Sequence, residues 1–183
     1  MELVKDLSDD AERTRQELRL QVALGPVLVM TKSYAASEVE RAYLRARELA
    51  RDVGEPSQLF AAIWGLWLVY LSRMQLDRAR ALVDELLALA REWADPAFLL
   101  QAHHVAWTTL FCVPDLTACL EHAEQGRALY DPDAHRAHKF LYGGHDPGVC
   151  GYNHGALTMW LLGYPDRAVE RVRRPGAGPR PGA

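Results

Sequence analysis

The sequence predicts an all-α protein in which antiparallel helix hairpins stack into an α-solenoid. The first observation is a pattern of small or apolar residues that begins at Val39, Ala79 and Cys119 and so returns every 40 residues. A fourth copy begins at Ala168, after a step of 49 residues. The second observation is a set of helix-start and helix-end residues between the copies, and the third is the near absence of alternating strand patterns. Self-similarity at a period of roughly 20–50 residues is typical of stacked repeats.

Each copy of the pattern places its residues at one helical face, because the offsets of four, seven and ten residues follow the helical period. Such a face is expected to be buried where the two helices of a hairpin cross. The positions are Val39, Tyr43, Ala46 and Leu49 in the first copy, Ala79, Val83, Leu86 and Leu89 in the second, and Cys119, Ala123, Gly126 and Leu129 in the third.

Helix signals place the hairpins at about residues 11–52, 56–93, 96–130 and 148–174. Pro26 predicts a kink in the first helix. Ser37 is expected to be the N-cap of the second helix, which Gly54 ends ahead of Pro56. Residues 131–147 are rich in Asp, His and Gly and are predicted to form a loop, which explains the longer last step.

The last predicted helix lacks the length of the others. Pro175 stands where the pattern requires a small residue, and residues 175–183 are a Gly/Pro-rich stretch that is expected to be a disordered tail. Residues 1–174 are then the helical-repeat segment. We expect the chain to be a fragment of a longer protein, whose C-terminal hairpin exposes apolar surface and promotes self-association.

Composition excludes several classes of function. The 183 residues carry a formal net charge of −3, which gives no reason to expect nucleic acid or an anionic membrane as the partner. No apolar run reaches the roughly 18–20 residues that span a bilayer. The three cysteines give no disulfide framework, so we expect reduced thiols and a cytoplasmic location.

Four stretches carry a resemblance to a known family: residues 17–34 (ELRLQVALGPVLVMTKSY), 58–70 (QLFAAIWGLWLVY), 124–131 (EQGRALYD) and 145–166 (HDPGVCGYNHGALTMWLLGYPD). The hairpins resemble the tetratricopeptide repeat. More specifically, they resemble the C-terminal helical-repeat region of large bacterial multidomain signal-transduction ATPases, linked to adenylate or guanylate cyclase or to transcriptional regulation. The resemblance implies a tetratricopeptide-like fold and contacts with a protein partner or with other domains of a longer parent chain.

Inner helices of such a stack line a concave groove, and counting back from each copy of the pattern identifies its residues. The set is apolar, with two tryptophans and a few polar groups, as expected for a surface that binds a peptide or a helix. Packing inside a tight superhelix is the alternative. The candidate groove residues are Trp64, Leu68, Leu71, Gln101, His104, Thr108, Phe111, Asn153, Leu157 and Trp160.

Two other constellations invite a chemical interpretation. His135, His138, His145, Cys150 and His154 include Cys150 and His154 one helical turn apart, but only one tight pair, so we expect no metal site. His103 and His104 near Cys112 and Cys119 suggest a Cys/His nucleophile, but Cys119 occupies a small-residue crossing position and burial would weaken either thiol. With no phosphate loop and no cyclase metal site in the sequence, we expect neither catalysis nor a cofactor.

These observations together predict a non-catalytic helical-repeat scaffold for protein–protein or intramolecular interaction. The alternative is a sensory module that binds a small effector in the groove around Trp64, His104 and Trp160. A third interpretation is that the chain is a nonfunctional gene remnant.

Overall fold

The computed structural model describes residues 10–173, and within that range the protein is all-helical with no β-strand. The helices that it contains are α1 (Asp10–Thr31), α2 (Ser37–Val53), α3 (Pro56–Ser72), α4 (Leu76–Trp93), α5 (Pro96–Cys112), α6 (Leu116–Leu129), α7 (His138–Leu141), α8 (Pro147–Leu161) and α9 (Pro165–Arg173). The tail predicted at residues 175–183 lies outside the described residues. No helix in the described part of the chain combines the length and the apolar character needed to cross a membrane.

Local sequence explains most of the helix ends. Asp95, Asp115 and Asp146 each accept a hydrogen bond from a backbone N–H in the first turn of the helix that follows, at 2.7, 3.3 and 3.1 Å. Proline occupies the first turn of α3, α5 and α8, where a missing N–H costs nothing. Gly54 ends α2 in the left-handed conformation, with φ of 72°, as predicted.

Two details of the predicted helices are different. Ala36, and not Ser37, is the N-cap of α2, and it makes no side-chain cap hydrogen bond. Ser37 is the first residue of the helix, and its hydroxyl donates to Glu38 Oε2 at 3.1 Å. Within the predicted loop 131–147, residues 138–141 form the short helix α7. Pro26 lies inside α1, and the kink there stays a prediction.

The chain divides into two compact units. Unit 1 comprises Met1–Leu82 and Leu141–Gly143, and unit 2 comprises Val83–Phe140 and Gly144–Ala183. In unit 1, α1, α2 and α3 pack on one another. The ring of Tyr43 on α2 lies against Gly25 of α1 and Gly65 of α3, where any larger residue would overlap with it. The tip 141–143 also belongs here, since Tyr142 packs on Phe60 and Tyr34 donates to the Gly143 carbonyl at 3.1 Å.

In unit 2, α6 packs on both α5 and α8, and α9 packs on α8. Trp107 of α5 is fully buried, and its ring lies against Gly126 of α6 in the same way as Tyr43 lies against its glycines. Cys119 is buried as well, with its Sγ 3.2 Å from the Trp107 carbonyl and 3.3 Å from Thr158 Oγ1. The first position of all four copies of the sequence pattern is buried: Val39, Ala79, Cys119 and Ala168.

Candidate functional site

The C-terminal hairpin of unit 2 exposes a row of large apolar side chains. Leu157 and Trp160 of α8 are 55% and 57% exposed, and Val169 and Val172 of α9 are 37% and 62% exposed. These four residues are called the C-terminal face below. They border a cavity of about 500 Å³, whose other lining residues are Asn153, Ala156, Ala168 and Arg173. Soluble monomeric proteins rarely expose large contiguous apolar patches, so such a patch usually marks a binding surface.

Helix α8 forms this face because it is apolar on more than one side. Its inner side carries small residues and Met159, and it is buried within unit 2. The other side carries Val149, Leu157, Trp160 and Leu161, which are all exposed. A helix that is hydrophobic around most of its circumference is stable in water when a second element covers it.

Arg171 fixes α9 on α8 beneath the face. Its guanidinium forms an ion pair with Glu124 of α6 and lies over the Tyr152 ring, 5.7 Å from the ring centre. It also lies directly over Gly155, where a side chain would overlap with it. Burial acts to raise the pKa of Glu124, but the guanidinium groups of Arg171 and Arg127 lower it below its ordinary value. The face therefore rests on a charged contact that holds α6, α8 and α9 together.

The predicted groove residues divide into three groups by burial. Asn153, Leu157 and Trp160 are exposed and line the cavity of the C-terminal face. The half-buried residues are Leu68, Leu71, Thr108 and Phe111. Trp64, Gln101 and His104 are buried, at 2%, 0% and 4% exposure, which differs from the expectation that they line an open groove.

Packing explains why these three residues are interior. In unit 1, Trp64 lies between Trp67 and Tyr142, with ring centres 5.0 and 5.4 Å away. In unit 2, His104 stacks on Trp107 at 5.0 Å, and its Nδ1 lies 3.2 Å from Gln101 Oε1. Residues of the predicted loop contact Trp64, through Tyr142, and Gln101, through His138, and the sequence pattern carried no sign of these contacts.

The cysteines considered for chemistry are partly or fully buried. Burial raises the pKa of the Cys150 thiol to about 11 and raises the pKa of Cys112 and Cys119, which weakens all three as nucleophiles. His154 Nδ1 lies 2.9 Å from the Cys150 carbonyl, so this pair makes a contact inside its own helix. Among residues 10–173, no group of three or more His, Cys, Asp or Glu side chains is arranged to hold a metal ion.

One feature that the sequence did not reveal is a facing pair of imidazoles in unit 2. His103 Nδ1 and His122 Nδ1 are 2.8 Å apart. Burial, with smaller contributions from the charges of His122 and Arg91, lowers the pKa of His103 to about 4. Burial and Arg91 also lower the pKa of His122. One imidazole must donate and the other accept, so the contact exists only while at least one ring is neutral.

Comparison with known proteins finds a relative in Rhizobium meliloti (strain 1021). The chain is 34% identical over 171 residues to an uncharacterized protein of Rhizobium meliloti (strain 1021), and the match covers 90% of this chain. It covers only 16% of that relative, so the chain spans about a sixth of its length. No family model and no solved structure matches.

Proposed function

We propose that the protein is a non-catalytic helical-repeat scaffold that binds a protein segment through the C-terminal face. The exposed row of Leu157, Trp160 and Val172 beside a cavity of about 500 Å³ carries this proposal. An aromatic anchor next to a pocket is the usual centre of a protein-binding surface, because burying it contributes most of the binding free energy. An amphipathic helix presents the apolar spacing that such a face accepts.

The longer parent is part of the same proposal. The helical pattern resembles the repeat region of bacterial signal-transduction ATPases, and the Rhizobium meliloti relative is long enough to carry several further domains beside the matched region. We infer that the stack is continuous, with a tetratricopeptide-like period of about 40 residues, in a cytoplasmic signalling protein. In that setting the natural occupant of the face is another helical part of the parent or a protein partner.

Association of the chain with itself tests whether the face binds protein. Light scattering at tens of micromolar should show oligomers, because at roughly 25 cal/mol per Å² even a few hundred Å² of covered apolar area favours association. Trp160→Asp should shift the distribution to monomer and reduce the binding of a hydrophobic dye. Phe140→Asp is the matched control, since Phe140 is an exposed aromatic residue of unit 2 that is not part of the face.

The proposal fails if the wild-type chain is a monomer that binds no hydrophobic dye. It also fails if Phe140→Asp disperses the oligomers as well as Trp160→Asp does, because association would then follow exposed apolar area in general.

A small effector remains the second candidate, and the cavity itself favours it. Its volume is in the range of roughly 300–1,000 Å³ that ligand sites occupy. Asn153 and Arg173 at its edge supply an amide and a cation among apolar walls. The expected effector is therefore an apolar molecule with an anionic group, and displacement of the bound dye by a fatty acid, without change in oligomeric state, would favour this alternative.

A further inference from the structure

Histidines hold residues 131–138, here called the latch segment, on helix α5. His138 and His135 of the segment are buried, at 9% and 7% exposure, although the residues around them are exposed. Gln101 Nε2 of α5 donates to His138 Nδ1 at 2.9 Å. The His135 ring packs between the rings of Tyr130 and His138, at 6.0 and 4.8 Å. The segment is thus fixed by its imidazoles.

The hydrogen-bond geometry requires neutral rings. His135 Nδ1 faces the backbone N–H of Asp131 at 2.9 Å, and because an N–H can only donate, this nitrogen must accept. The amide of Gln101 bridges two imidazoles, with His138 on its nitrogen and His104 on its oxygen. An amide has one donor side and one acceptor side, so in either orientation one of these two rings accepts through Nδ1. A proton on an accepting Nδ1 abolishes its hydrogen bond.

The charges around the network have opposing effects on protonation. Burial lowers the pKa of His138, and His135 lowers it further, while Asp146 and Asp95 raise it; the net direction is downward. Burial lowers the pKa of His104 to about 3, with smaller effects from other imidazoles. The charged and polar groups around the network come from several elements. They are His104 and Gln101 of α5, Asp95 before α5, Asp131 and Tyr130 after α6, His145 and Asp146 before α8, and His154 in the middle of α8.

We propose that the latch segment is a proton-operated device that stays on α5 while its imidazoles are neutral and detaches when they take up protons in mildly acidic solution. Two positive rings with centres 4.8 Å apart would repel each other in a buried site, and His135 would have lost its hydrogen bond from the backbone N–H of Asp131. Detachment relieves both effects and separates His138 from Gln101. The device is independent of the function proposed for the C-terminal face.

Amide hydrogen exchange between about pH 7.5 and pH 5, corrected for the intrinsic rate, tests the proposal on the full chain. Protection of the latch segment should fall about tenfold or more relative to α2 as the pH decreases, and by a larger factor than that of α5 and α6, whose protection falls only with the stability of unit 2. In the double variant His135→Asn, His138→Asn, each amide oxygen replaces an Nδ1 atom as the hydrogen-bond acceptor. An amide does not titrate, so protection of the segment should persist at the lower pH. His145→Asn is the matched control, because His145 is exposed, and it should behave as the wild type does.

Equal loss of protection in the wild type and the double variant would overturn the proposal, as would a loss in the segment that is no larger than that in α5 and α6. If the double variant does not fold, ring ¹⁵N chemical shifts of the wild type decide. His135 should show an unprotonated Nδ1 near neutral pH, and His138 should titrate together with the loss of protection in the segment. A ring that carries its proton on Nδ1, or that titrates with the segment still protected, would contradict the mechanism.

Discussion

Units 1 and 2 are built from similar helices but have interiors of different chemistry. Among the described residues, the buried side chains of unit 1 are apolar or aromatic, as in Phe60, Ile63 and Trp67. Unit 2 also buries polar groups among its apolar residues: Gln101, His103, His104, Thr109, His135, His138 and Thr158. In unit 1, charged side chains such as Arg73 and Glu40 are only partly buried. Arg73 pairs with Glu40 and donates to the Ala35 carbonyl at 2.9 Å.

The comparison shows that two units with similar helix packing can differ in how their stability depends on pH. An apolar interior is stabilised by burial alone and is indifferent to protons. A buried imidazole is stable only in its neutral form, so the interior of unit 2 depends on pH. We therefore expect environmental sensitivity to be concentrated in unit 2, which also carries the C-terminal face.

The largest expected effect is a loss of stability of unit 2 in acid. The pKa values of His103 and His104 are lowered to about 4 and about 3, below the value of about 6.5 in an unfolded chain. The unfolded state thus binds protons from about pH 6.5 downward while the folded state does not. The free energy of unfolding has its full value above that pH. It should fall by about 2 kcal/mol for each histidine by pH 5, because one pKa unit is worth about 1.4 kcal/mol.

Urea unfolding near pH 7 and near pH 5, followed by circular dichroism, measures this loss. His104→Asn should reduce the loss of stability between the two pH values by about 2 kcal/mol, whatever its effect near neutral pH. Replacing the exposed His145 with Asn should leave the pH dependence unchanged. A wild-type stability that is the same at both pH values would remove the distinction between the two interiors.

The next effect compares the crossing glycines of the two units. A Cβ at Gly65 would overlap with Tyr43, whose ring is held on its other side by Gly25. A Cβ at Gly126 would overlap with Trp107. We expect Gly65→Ala and Gly126→Ala each to lower the free energy of unfolding by about 1–3 kcal/mol, since neither ring has room to move.

Gly151 provides the control on the same tryptophan. Its Cβ would lie 3.4 Å from Trp107, an ordinary contact, so Gly151→Ala should stabilise α8 by up to about 1 kcal/mol through helix propensity. Thermal or urea unfolding distinguishes the opposite signs. Equal destabilisation by Gly126→Ala and Gly151→Ala would show that glycine at these sites serves something other than close packing.

The smallest effect concerns the C-terminal face. Trp160 is more than half exposed, so Trp160→Asp should change the free energy of unfolding of the monomer by less than about 0.5 kcal/mol. Dilute samples in which association is absent are required, with thermal unfolding as the measurement. A destabilisation as large as that of a buried tryptophan would mean that Trp160 is part of the interior of unit 2.

The sequence predicted the helices and their crossing residues well, because those depend on local periodicity. The pattern that begins at Val39, Ala79, Cys119 and Ala168 identified buried positions in every copy. Asp95, Asp115 and Asp146 act as caps through contacts within a few residues. Such features follow from short-range sequence alone.

The burial of some predicted groove residues could not be predicted in the same way. The repeat pattern places Trp64 and His104 at inner-helix positions that are predicted to line a groove. Tyr142 packs on Trp64, and His138 bonds to Gln101, a neighbour of His104. Tyr34 and Gly143, which bond in unit 1, are 109 residues apart in sequence. A segment without helical period gives no sign of which distant surface it covers.

Direct titration of the imidazole rings by nuclear magnetic resonance tests the polar interior of unit 2 without a variant or a denaturant. We predict that His103 and His104 of the folded protein remain neutral at about pH 5, because burial lowers their pKa values to about 4 and about 3, and that His138 titrates below its ordinary value. Titration of His103 and His104 near pH 6.5, the value of a solvated imidazole, would contradict it, because rings that accept protons so readily would not be enclosed in a dry core.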